Sequence, residues 1–320
     1  MIVRSTKLVS LISRVSRRAA RINNSLALAL VVASVAVVGL PERALAAAGR
    51  ISIESGGVAR TAILVQHRRL KRARRPLVIV LRSGKEKGPH LRRIFGLEEM
   101  ASSSGPVLIY PDPVGGRWSD APGPEAAHDA TFIRDIVAKL VSDGLVDHRK
   151  VFIIGISSGG LAALRIACDN TSLFAGAAAL ITSLPADLAA TCKPSHPLPL
   201  IMIVGTADAS VPYGGGKANL PSSKVELLSV DATLAIFGKA AGCGEGRTTT
   251  PLPEFDAREG VRAYLDKLNG CKVPIEALRV EGGAHIVPGH WTGADPARSP
   301  HNNGGESAKL IWDFFRRLGG

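Results

Sequence analysis

The stretch Val151-Phe152-Ile153-Ile154-Gly155-Ile156-Ser157-Ser158-Gly159-Gly160-Leu161 decides the fold. Its first four residues form a continuous apolar run, as expected of a strand buried on both faces of a parallel sheet. Gly155 follows at once, and Leu161 to Ala167 begins a helix. A serine at a sharp strand-to-helix turn sits where the backbone is strained and neighbouring chains nearly touch, so its neighbours must be small. Gly155 and Gly159 supply that room, and Gly160 lets the helix lie close to the sheet. The pattern G-x-S-x-G alone is cheap in a chain with 34 glycines, and a serine-rich helix N-terminus is the competing reading. The buried strand before it favours Ser157 as a nucleophile.

Working outward, Arg50 to Glu54 and Ala59 to Gln66 read as strands joined by a turn at Ser55-Gly56-Gly57. Leu77 to Leu81, Val107 to Tyr110, Leu200 to Val204 and Ile275 to Val280 read as further strands. Helical spacing marks His90 to Met100 and the face Phe132, Ile133, Ile136, Val137, Leu140 and Val141. Val230 to Ala241 and Glu306 to Leu318 are two more helices. Strands alternating with helices predict an α/β domain with a mostly parallel central sheet and helices on both faces. Ligands of such sheets sit outside the carboxyl ends of the strands.

A serine hydroxyl needs a base, and the base needs a group to orient it. When the serine sits on a strand-to-helix turn of this kind, the acid and then the histidine come later in the chain. Asp208 follows the Leu200–Val204 strand in Gly205-Thr206-Ala207-Asp208, and His285 follows the Ile275–Val280 strand in Glu281-Gly282-Gly283-Ala284-His285. His290 is the competing base, but the glycine-rich approach favours His285. The oxyanion of a tetrahedral intermediate would be met by the backbone N–H of Ser158 and by a second N–H after the Leu77–Leu81 strand, at Ser83 or Gly84.

The chain has 320 residues, 46% of them hydrophobic, with a formal charge of +13. Lys7, Arg14, Arg17, Arg18 and Arg21 precede an apolar run from Leu26 to Leu40 and the small residues Ala44-Leu45-Ala46. This reads as a secretory signal peptide over residues 1–48, followed by one catalytic domain at 49–320 and a secreted or periplasmic location. The apolar run is shorter than the roughly 20 residues of a membrane-spanning helix. The pair Arg17-Arg18 lacks the apolar residues a twin-arginine signal places after it. Without residues 1–48 the formal charge falls to +7. The block Arg68, Arg69, Lys71, Arg72, Arg74 and Arg75 remains; it reads as a solvated connection or a weak contact with an anionic envelope surface. No interleaved aromatic residues point to nucleic acid. Cys168, Cys192, Cys243 and Cys271 are an even set in an exported chain and imply two disulfides, with three pairings open. No metal site is expected, since no Cys-x-x-Cys pair occurs, and no cofactor is expected either.

Taken together, Tyr110-Pro111-Asp112, Trp118-Ser119-Asp120, Gly155 to Gly160, Gly205-Thr206-Ala207-Asp208 with Val211-Pro212-Tyr213, Gly242-Cys243-Gly244 and Gly282-Gly283-Ala284-His285 resemble a known family. It comprises exported polyhydroxybutyrate depolymerase-like and feruloyl or acetylxylan esterases of the α/β-hydrolase fold. The resemblance implies a cofactor-free ester hydrolase with the triad Ser157, Asp208 and His285. It also implies the pairings Cys168–Cys192 and Cys243–Cys271. Hydroxyalkanoate oligomers are the first expected substrate and acylated plant polysaccharide the second; a non-catalytic envelope-binding protein is the rival from another class. Two positions depart from the family. Arg82-Ser83 replaces His-Gly at the expected oxyanion loop, where a serine in a glycine conformation would be strained. Ile286-Val287 replaces an aromatic residue after the histidine.

Overall fold

The computed structural model describes residues 46–67, 74–83, 96–100, 105–221, 223–255, 260–288 and 305–320. The expected signal segment up to residue 45, Gly84, most of the basic block, His290 and most of the His90–Met100 helix lie outside them. Strands β1 (Ala46–Ser55) and β2 (Val58–His67) form the hairpin expected from Ser55-Gly56-Gly57. They are followed by β3 (Arg75–Leu81), β4 (Val107–Pro111), helix α1 (Pro124–Ser142), β5 (Val146–Ile156) and helix α2 (Ser158–Asp169). Then come β6 (Gly176–Leu180), β7 (Leu200–Gly205), a two-strand pair β8 (Gly216–Lys217) and β9 (Glu226–Leu227), and helix α3 (Val230–Ala240). Strands β10 (Arg247–Pro251), β11 (Arg262–Leu268) and β12 (Ile275–Glu281) and helix α4 (Gly305–Arg317) close the fold.

Ten strands form one sheet in the order β1-β2-β4-β3-β5-β6-β7-β12-β11-β10. The middle, from β4 to β12, is parallel throughout, and both margins are antiparallel. Because side chains alternate along a strand, each strand feeds two cores. Ile79, Ile153 and Met202 meet Phe132 of α1, Leu164 of α2 and Phe237 of α3 on one face. Val80, Phe152, Ile154 and Ile203 meet Phe314 and Phe315 of α4 on the other. The rings of Phe152 and Phe315 stack at 4.4 Å. Helices thus cover both faces.

Strand β6 is absent from the sequence reading. Gly176-Ala177-Ala178-Ala179-Leu180 has weak strand preference, and it becomes a strand because β5 and β7 pair with both of its edges. Strands β10 and β11 are likewise additions, placed by antiparallel pairing onto β12. One reading of the basic block is corrected. Arg75 opens β3 and is only 7% exposed, so it cannot share a solvent-facing cationic surface with the exposed Arg74.

Candidate active site

Strands β5, β6, β7 and β12 are successive neighbours in the sheet, so their carboxyl ends form one rim. Ser157 stands immediately after β5, at φ 54° and ψ −121°. Left-handed backbone costs a non-glycine residue of order 1–3 kcal/mol, and the surroundings hold it there. The Ser157 N–H donates to the Leu180 carbonyl at 2.9 Å, and its own carbonyl accepts from Gly160 at 2.8 Å. The turn also presses against the end of β3. A Cβ at Gly159 would lie 2.3 Å from the Leu81 carbonyl oxygen and 2.4 Å from that of Arg82. Only glycine permits that approach.

The acid follows β7 and the base follows β12, adjacent parallel strands, and the two loops are tied to each other. The Ala207 N–H donates to the Gly283 carbonyl at 2.9 Å, and the Gly282 N–H donates to the Thr206 hydroxyl at 3.0 Å. A Cβ at Gly205 would lie 2.3 Å from the Gly283 carbonyl oxygen. Asp208 Oδ1 accepts from the N–H groups of Ser210 and Val211, each at 2.8 Å. Its Oδ2 faces His285 Nδ1 at 2.7 Å. A carboxylate only accepts, so Nδ1 carries the imidazole proton, and Nε2 is left to accept. Ser157 Oγ lies 2.9 Å from that Nε2.

The carboxylate is sealed and the base is reachable: the Asp208 side chain is 2% exposed and that of His285 24%. Such burial strengthens the attraction between Asp208 and an imidazolium formed during reaction. The structure therefore brings Ser157, His285 and Asp208 into the arrangement of a serine-hydrolase triad. The chain has the α/β-hydrolase fold.

Of the expected oxyanion donors, Ser158 opens α2 and is buried, and Ser83 follows the strand end that touches the Ser157 turn. Gly84 lies outside the described residues. The strain expected at Ser83 is not found. Among the described non-glycine residues, positive φ belongs to Ser157 and Ile181 alone. Arg82 turns inward, 8% exposed, with Nη2 at 3.9 Å from Asp112 Oδ1. The other Asp112 oxygen accepts from the Thr61 hydroxyl at 2.8 Å and pairs with Arg50. Ile286 is 51% exposed beside His285, whereas Val287 is buried in the α4-side core.

Sequence reasoning missed three supports of this site. Ile181, just past β6, has φ 45° and donates its N–H to the Ile203 carbonyl at 2.7 Å. Thr206 joins the acid turn to the histidine loop. The Ser210 and Val211 N–H groups fix Asp208, and the signal for them was present in Asp208-Ala209-Ser210, because aspartate side chains commonly accept from the backbone two residues on. Both disulfides match the pairing drawn from the resemblance. Cys168–Cys192 staples α2 to the following loop, and Cys243–Cys271 joins the end of α3 to the β11–β12 turn. Among the described residues, no group of three or more potential metal ligands converges, and no helix is long and apolar enough to cross a membrane.

No family model matches the chain. It is 32% identical over 232 residues to NocK of Nocardia uniformis subsp. tsuyamanensis, which is named as an esterase, covering 67% of this chain and 66% of that one. It is 27% identical over 182 residues to feruloyl esterase B of Piromyces equi, covering 53% of this chain. The chain thus spans about two thirds of the first relative and 34% of the second. Among solved structures, acetyl xylan esterase from Aspergillus awamori superposes with a TM-score of 0.54 at 14% identity, over 75% of this chain and 95% of that one. The chain is therefore a distant but broad match to esterases, and the resemblance read from its motifs holds at that level.

Proposed function

We propose that the protein is a cofactor-free serine hydrolase of carboxylic esters, acting on acyl esters of plant polysaccharide. The observation that carries this reading is the unbroken relay from Ser157 Oγ to His285 Nε2 at 2.9 Å and from His285 Nδ1 to Asp208 at 2.7 Å. Ser157 attacks the ester carbonyl while His285 takes its proton. The tetrahedral oxyanion is met by backbone N–H groups, with Ser158 and Ser83 as the donors. His285 then protonates the leaving alcohol. A water activated by the same imidazole releases the acid from the acyl-enzyme, and Asp208 steadies the imidazolium in both halves.

The relatives named as feruloyl and acetyl xylan esterases support acylated polysaccharide over hydroxyalkanoate oligomers as the substrate class. Export through the segment 1–48 is part of the proposal, and two disulfides are what an oxidising compartment would allow. The test is a panel of kcat/KM values for p-nitrophenyl acetate, methyl ferulate and a hydroxybutyrate trimer. We expect turnover of the first two to exceed that of the trimer. Preference for the trimer would move the substrate to the polyester class. Inertness of folded protein toward all three would favour a binding protein on the same fold.

A further inference from the structure

A cavity of about 280 Å³ lies between the loop after β4 and the first turns of α1, and no triad residue lines it. Its floor is fixed. Asp129, 6% exposed, accepts from Arg60 Nη2 and from the Ser119 N–H, both at 2.9 Å. Beside it Trp118 is 3% exposed, and its indole Nε1 has no hydrogen-bond partner.

The rim is the opposite. Arg117, Asp120, Glu125 and His128 line the cavity, and among the described residues none of their side chains makes a hydrogen bond or ion pair. Elsewhere neighbouring helical charges pair readily, as Lys139 does with Asp143 and Lys309 with Asp313. Val114 adds an apolar surface, 68% exposed, to the same wall.

The chemistry of the rim narrows the occupant. An anion would face two carboxylates, and a cation would face Arg117. A neutral polyol meets alternating donors and acceptors and lays its carbon face on Val114. Neither Ser157, Asp208 nor His285 contributes to its wall. Asp120 is held through its carbonyl by Arg165 Nη2 at 3.2 Å, which ties this wall of the cavity to α2, the helix that Ser157 precedes.

We propose that this cavity is a subsite for a neutral sugar unit of the substrate's glycan portion; the assignment of that sugar to a substrate rests on the ester-hydrolase reading above. The test is calorimetric titration of full-length Ser157→Ala protein, which cannot turn over, with xylotriose and with cellotriose. Saturable binding of at least one is expected. It should weaken about tenfold or more when Arg117→Gln and Glu125→Gln are added together, at rim positions where folding is not at stake. Lys139→Gln, on the same helix but outside the cavity, should leave the affinity as it was. No binding of either trisaccharide, or binding indifferent to the paired rim substitutions, overturns the subsite. Ester cleavage by the wild type without sugar binding removes the subsite and leaves the hydrolase. Rim-dependent sugar binding in a protein that cleaves no ester does the reverse.

Discussion

Asp208 uses both oxygens, one on the N–H groups of Ser210 and Val211 and one on His285. The carboxylate therefore has no freedom to turn, and it dictates which imidazole nitrogen carries the proton. Asp208→Asn keeps the size and loses that dictation, because an amide N–H facing Nδ1 favours the wrong tautomer. We predict that kcat for p-nitrophenyl acetate falls about 10⁴-fold, with KM little changed, in steady-state assays of folded protein. The identities of Asp208 and His285 were legible because each stands just past a strand, flanked by residues that permit a loop. The N–H groups that fix Asp208 were not, since a sequence does not display which backbone donors a carboxylate will face. Ser83 shows the reverse error. Replacing a family glycine implied strain, yet the backbone at Ser83 stays outside the left-handed region.

At the scale of the element, the site depends on strand ends that touch. The acid turn after β7 and the histidine loop after β12 meet at Gly205, where a Cβ would come within 2.3 Å of a carbonyl oxygen and must drive the two apart. A displacement near 1 Å at a catalytic pair costs on the order of 10²-fold. We accordingly predict that Gly205→Ala lowers kcat/KM by on the order of 10²-fold while circular dichroism shows the fold retained. Strands β3, β4, β5, β7 and β12 were legible as apolar runs, and the helices α1, α3 and α4 as periodic faces. Strand β6 was hidden because three alanines carry little preference of their own. It is a strand by virtue of its two neighbours, and it matters to function, since Leu180 anchors the Ser157 N–H.

Over the whole molecule, α2 is the piece that must not move, and it is fastened twice on its outer side. Arg165, 5% exposed, holds Asp187 in a bidentate pair at 2.8 and 2.9 Å, and Cys168 is joined to Cys192 across a separation of 24 residues. Closing a loop of that length constrains the unfolded chain by about 3.5 kcal/mol. Cys168→Ala with Cys192→Ala should lower the unfolding free energy by about that amount in urea titrations, with the ion pair still holding the loop locally. Disulfide pairing was legible only through the family resemblance, because cysteine count alone leaves three pairings. The charge balance says less than it first promises: part of the excess lies in residues 1–48, and Arg75 is turned into the fold. All of this architecture converges on one nucleophile. The most direct measurement is intact-mass and peptide analysis of the folded protein after exposure to a fluorophosphonate probe. A single adduct on Ser157, absent in Ser157→Ala and in unfolded protein, is the predicted result. Folded protein that takes no label, or takes it on another residue, would contradict the account.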